Sequence, residues 1–176
     1  MGKRHFLIVG LLLGVLPVST FRASGQEDPT RLRVVVNLVQ LNVAVTDSKG
    51  NYTVTFNGQA YSGSFVDSGS NGIFFLDAAT LGIATCSVSS SFYCPPSTMS
   101  YSTITTGTNG NSGTVAFSID NAQALFANGA NTAFNNLGGP NPGAFDFGLP
   151  FFFGRTVYLA IEGQSTSGGS GPYWAY

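Results

Sequence analysis

Apolar and polar residues alternate along most of this chain with the period of two that marks strands half-buried in a sheet. Over residues 31–46, Val34, Val36 and Leu38 fall on one face, and Val35, Val39, Leu41, Val43 and Val45 largely on the other. That pattern predicts one long strand or two short ones. Asp47-Ser48-Lys49-Gly50 predicts a turn. Tyr52–Phe56 and Gln59–Val66 then predict a hairpin around Asn57-Gly58, a dipeptide suited to a two-residue turn. Ile73-Phe74-Phe75 predicts a short buried strand, and 76–83 leaves room for one helical turn. Residues 98–106 and 113–119 alternate again, separated by a turn at Thr108-Asn109-Gly110-Asn111. The best helix candidate is 121–128, with Asp120 or Asn121 as N-cap and Ala122, Leu125 and Phe126 facing inward. Residues 138–143, rich in Gly and Pro, predict a loop. Phe151-Phe152-Phe153 and 156–161 predict two further strands, and 168–176 a Gly-rich, then aromatic, tail. Short strands at regular spacing with Gly-rich turns predict an all-β fold, mainly antiparallel, closed like a barrel, with one or two short helices.

The first residues break this pattern. Lys3-Arg4-His5 precedes an apolar run over 6–18, and Ala23-Ser24-Gly25 offers small residues before Gln26. This is the layout of a secretory signal peptide; the alternative is an uncleaved membrane anchor, although the run falls short of the roughly 20 residues a spanning helix needs. The expected division is a signal peptide over 1–25, a strand segment over 26–50 and a β-rich domain over 51–176. The mature chain is expected to be exported, to the periplasm, cell surface or exterior, with no membrane attachment after cleavage. Export gives the cysteines a meaning: Cys86 and Cys94 are the only two, eight positions apart. In an oxidising compartment they read as a disulfide, with a redox pair or metal site as the alternatives. No His and little charge stands near them to support either alternative.

Charge narrows the chemistry. Charged residues make up 9% of the chain, against roughly 25% in an average domain. From Gly50 onward Arg155 is the single base, against Asp67, Asp77, Asp120, Asp146 and Glu162. So little positive charge argues against nucleic-acid binding. With His5 as the only histidine, neither a Ser-His-Asp triad nor a zinc site can be assembled in the body. No metal or cofactor is expected. Arg155 is expected to pair with a carboxylate such as Glu162 or Asp146.

One stretch has the logic of a reactive loop. Phe65-Val66 brings a strand in, Asp67-Ser68-Gly69-Ser70-Asn71-Gly72 turns the chain, and Ile73-Phe74-Phe75 leads a strand away. A carboxylate between apolar strands is costly unless hydrogen-bonded or protonated, and Ser68 and Ser70 carry hydroxyls within reach. Gly69 permits backbone geometry that a side chain would block. As a bare pattern, Asp67-Ser68-Gly69-Ser70 is equally a polar β-turn.

This segment resembles the Asp-(Ser/Thr)-Gly-(Ser/Thr) signature of pepsin-like aspartic peptidases. Phe145-Asp146-Phe147-Gly148-Leu149-Pro150 resembles the apolar-apolar-Gly turn that closes one of their lobes. The resemblance implies a single pepsin-like lobe. Asp67 would be the catalytic carboxylate, Ser70 would hold it, and Ser68 would grip across an interface. Because the chain has one Asp-Ser-Gly, peptide hydrolysis would need a second carboxylate, as in a symmetric dimer that pairs Asp67 with its copy. Asp146 stands where the peptidases have an apolar residue. It is expected to face solvent, with membership of the same site as the alternative. Over about 47–176 the chain more closely resembles a bacterial family of exported proteins of unknown function. That family shares Asp-Ser-Gly-Ser-Asn-Gly, the short Cys loop, Gly-Leu-Pro-Phe-Phe-Gly-Arg and Gly-Pro-Tyr-Trp-Ala-Tyr. Residues 33–50 resemble the start of bacterial exported proteins with a von Willebrand A-type domain. The two resemblances meet near Gly50, as if a front lobe were missing. The alternative function is a non-catalytic β-domain. It would bind a peptide, a cell-surface polymer or a protein partner, or be a fragment of a two-lobed protein.

Overall fold

The computed structural model describes residues 42–176. The expected signal peptide, and the strand expected over 31–41, lie outside the described residues. Along the described chain run β1 (Val43–Val45), β2 (Tyr52–Phe56), β3 (Gln59–Val66), β4 (Ile73–Leu76) and helix α1 (Ala78–Leu81). There follow β5 (Met99–Thr106), β6 (Ser112–Ile119), helix α2 (Ala122–Ala127), β7 (Gly138–Gly139) and β8 (Asn141–Phe147). A 3-10 helix (Leu149–Phe152), β9 (Tyr158–Ala160), β10 (Ser165–Thr166), β11 (Gly169–Ser170) and β12 (Tyr173–Ala175) complete it. The fold is all-β, as the alternation predicts. Among the described residues no helix is long and apolar enough to cross a membrane.

Seven strands form one sheet in the order β6-β5-β2-β3-β8-β4-β7. Its pairs are antiparallel except β3 with β8 and β4 with β7. The sheet nearly closes into a barrel. Its two edges meet just beyond their strands, where the Asp120 N–H donates to Asn136 O at 2.9 Å. Gly138 lets that meeting happen: a Cβ there would strike the Ile119 side chain at the end of β6. A second, three-stranded sheet runs β1-β12-β9, so Val43 pairs with Ala175 near the chain end.

The barrel interior is aromatic. Phe75 on β4 lies against Tyr93, Tyr101, Phe117 and Phe145, with ring centroids 5.7, 5.4, 5.1 and 5.3 Å away. Three of the four contacts are edge-on, the geometry the ring quadrupole favours. Buried Tyr93 donates its hydroxyl to Phe75 O at 2.6 Å, so its polar end is satisfied. Cys86 and Cys94 form the disulfide. The short loop they close stabilises by somewhat less than about 3 kcal/mol through chain entropy. Buried Cys86 also packs with Ala122 and Leu137 in a small satellite core.

Five expectations change. Phe151-Phe152-Phe153 is largely a 3-10 helix, because Pro150 fixes its own φ and lacks the N–H a strand would need. The loop expected over 138–143 supplies β7 and the start of β8. The strand expected over 156–161 shrinks to β9 and is largely exposed. Phe126 does not face inward but is 44% exposed, while Ala122 is fully buried. Arg155 makes no pair with Glu162 or Asp146. Its guanidinium donates to Phe151 O at 2.7 Å and Ala116 O at 2.6 Å, and lies 5.0 Å from the Phe151 ring centre.

Candidate functional site

The site forms where three strands meet. β8 lies between β3 and β4, parallel to the first and antiparallel to the second. Phe65 and Val66 pair with Asp146 and Phe147 on one side of it. Ile73, Phe74 and Phe75 pair with Phe147, Asp146 and Phe145 on the other. The chain from β3 to β4 must therefore arch over the end of β8. Residues 67–72 are that arch.

Glycine lets the arch close. Gly148 follows β8 and sits beneath it, where a Cβ would come 2.6 Å from Ser70 O and still closer to Gly72 O. The Leu149 N–H donates to Ser70 O at 2.7 Å, and the Asp67 N–H donates to Phe147 O at 3.1 Å. The arch is thus tied to β8 at its entrance and to the start of the 3-10 helix at Ser70. Ser64, fully buried on β3, donates its hydroxyl to Tyr61 O at 2.9 Å and accepts the Phe145 N–H at 3.0 Å.

Asp67 stands at the arch entrance, half-buried. Its Oδ1 accepts the Gly69 N–H at 2.8 Å, and its Oδ2 lies 3.1 Å from Ser70 Oγ. Ser68 is exposed. The structure thus brings Asp67, Gly69 and Ser70 into one hydrogen-bonded unit and leaves Ser68 facing outward. Cys86 and Cys94 take no part in it.

Asp146 joins this unit and does not face solvent. It is 8% exposed, and its Oδ2 lies 2.6 Å from the same Ser70 Oγ. Its Oδ1 is buried without a hydrogen-bond partner among the described residues. Burial pushes the Asp146 carboxyl above its usual range; the Ser70 hydroxyl partly offsets this, and charge on Asp67 adds to it. The period-two pattern points Phe145 and Phe147 inward and Asp146 to the opposite face, so solvent is the natural expectation. The arch covers that face, and nothing local in 145–147 announces it.

Tyr52 is the second residue that local patterning misses. Its hydroxyl is buried without a partner among the described residues, and its ring stacks near Phe147 with centroids 6.5 Å apart. Burial lifts its phenol well above the usual range, and the nearby Tyr176 and Asp146 add to the rise. Chemically, then, one half-buried carboxyl, one hydroxyl and one buried carboxyl stand in line. Such a line can hold or move a proton.

No curated protein and no solved structure matches the chain. The model of one family, described as "Protein of unknown function (DUF3443)", matches residues 37–176 and runs unbroken through Gly50. With its arch, its Cys loop and its closing strand β12 all inside that match, the chain belongs to this family.

Proposed function

We propose that this domain is an exported, single aspartic-peptidase-like lobe that hydrolyses peptide bonds through Asp67. One observation carries the proposal. The Asp67 carboxyl is held by the Gly69 N–H and the Ser70 hydroxyl on an arch locked against β8 by Gly148. A carboxylate positioned this way can take a proton from an attacking water. A second carboxyl must protonate the carbonyl oxygen that becomes an oxyanion. We assign that acid to Asp67 of a second copy, with exposed Ser68 at the contact. The disulfide is compatible with export, and a signal peptide over 1–25 would supply it.

The test is cleavage of a mixed peptide library by the purified protein from pH 3 to 7, beside Asp67→Asn. Cleavage on the acid side is expected, lost in the variant, with a specific rate that rises with protein concentration. A folded protein that cleaves nothing would overturn the proposal. A second reading would then take its place: a non-catalytic domain that binds a protein partner or cell-surface polymer. The observation favouring it is the edge strand β9, where Tyr158, Leu159 and the adjoining Ile161 are 51%, 60% and 67% exposed.

A further inference from the structure

The arch poses a hydrogen-counting problem. Ser70 Oγ lies within hydrogen-bond distance of two carboxyl oxygens, Asp67 Oδ2 at 3.1 Å and Asp146 Oδ2 at 2.6 Å. A serine hydroxyl carries one hydrogen, and an ionised carboxylate only accepts. If both acids were ionised, one of the two contacts would set lone pair against lone pair. The shorter contact, which belongs to the more buried acid, could not be spared. A second hydrogen is therefore needed in the line, and only a carboxyl can supply it.

The surroundings say which one. Asp67 is half-buried and already accepts the Gly69 N–H, as suits a charged oxygen pair. Asp146 is more than nine-tenths buried, and its Oδ1 has no donor among the described residues. Among the described residues, the elements packed on it bring no cation. β4 (Ile-Phe-Phe-Leu) and the 3-10 helix (Leu-Pro-Phe-Phe) are apolar, the arch brings Asp67, and β2 brings the unpartnered Tyr52 hydroxyl. Arg155 is occupied by Phe151 O and Ala116 O. An unpaired buried charge costs several kcal/mol, on the order of what a whole domain can spare.

We propose that Asp146 is the proton-holding partner of Asp67 within one chain: its neutral carboxyl donates to Ser70 Oγ, whose own hydrogen is donated to the Asp67 carboxylate. The line runs from Asp146 through Ser70 to Asp67 and holds one exchangeable proton between two acids. Shifting it moves the Asp146 proton to Ser70 Oγ while the Ser70 hydrogen passes to Asp67 Oδ2. Each transfer breaks one O–H bond and forms another. Ser70 ends neutral as it began, and the negative charge passes from Asp67 to Asp146. Asp146 never reaches substrate in this scheme; it is a positioning residue that sets where the Asp67 proton resides. Its chemical use rests on the proposed role of Asp67, but the shared proton does not.

Carbon-13 NMR titration of the aspartate side-chain carboxyls tests this without any peptide. In the wild-type protein the Asp146 carboxyl is expected to stay neutral at pH values where an ordinary Asp, near about 3.9, has ionised. Asp67→Asn removes the neighbouring charge and should lower the Asp146 midpoint. Ser70→Ala should displace that midpoint and Ser70→Thr, which keeps the hydroxyl, should restore it. The Ser70 pair keeps the test intact if Asp67→Asn fails to fold. Ionisation of Asp146 together with ordinary acids would overturn the proposal, as would a midpoint indifferent to both Asp67 and Ser70. A coupled titration in a protein that cleaves no peptide would retain the shared proton and reject only the hydrolytic function.

Discussion

Strand β4 carries an acid-bearing turn at each end, and the two turns treat their carboxyls in opposite ways. At its start lies the arch over 67–72, where Asp146 is pressed beneath Ser70 and driven above its usual pKa by burial. At its end lies Asp77, the N-cap of α1, which accepts the Thr80 N–H and the Thr80 hydroxyl, each at 2.8 Å. There the backbone N–H of Thr80, followed by its hydroxyl, holds the half-buried carboxyl below its usual range. The four residues of β4 separate the turn that stabilises Asp77 as an anion from the arch that covers Asp146 and favours its acid form. The difference lies in the donors: Asp77 meets two that belong to it alone, whereas Asp146 shares one hydroxyl with a second carboxyl.

The glycines at the two ends should break the comparison most visibly. Gly148→Ala forces a Cβ against the carbonyls of Ser70 and Gly72. It should cost about 3 kcal/mol, the upper range for overpacking, or unseat the arch altogether. Gly82→Ala meets open space and suffers only from its left-handed φ of 67°. It should cost about 1 kcal/mol. Urea unfolding of the two variants checks the order. Equal losses would show that the arch yields as readily as the α1 cap.

The two acids sharpen the comparison through pH. Asp146 has a folded-state pKa above its unfolded one, so the native state binds the extra proton between the two values. Its contribution is fully present below the unfolded pKa and is lost as pH rises through the folded one. Asp146→Asn should therefore gain stability relative to wild type at neutral pH, with the gain shrinking as pH falls. Asp77 runs the other way: its contribution is present above the unfolded pKa and lost as pH falls through the lowered folded one. Asp77→Asn keeps a capping oxygen and should show a small deficit at neutral pH that disappears in acid. Thermal melts of both variants from pH 3 to 7 check the two slopes, and slopes of the same sign would refute the contrast.

Much of this molecule is legible in its residue pattern. The hairpin of β2 and β3 follows from alternation around Asn57-Gly58, and both central residues take positive φ, 49° and 79°. The N-cap at Asn121 is equally local: its side chain accepts the Ala124 N–H at 3.1 Å. The contacts that Asp67 makes to the Gly69 N–H and the Ser70 hydroxyl are legible for the same reason, since they span two and three positions. The placement of Asp146 was not legible, because its partner lies 76 positions earlier in the chain. Likewise β7 and β8 were hidden in a run of Gly and Pro. Such residues signal loops when only their own torsions are considered, yet here they pair with β4.

By itself the sequence determined the strand periodicity, the turns, the cysteine pair and the short-range contacts of Asp67 with Gly69 and Ser70, because each depends on residues a few positions apart. Only the tertiary structure decided that β8 slides between β3 and β4 and carries a second carboxyl under the first. The reason is physical. Which face of a strand is buried follows from alternation only while one side of the sheet meets water. Where an arch covers the other side, a residue that alternation sends to solvent is buried instead, and its proton becomes part of the structure.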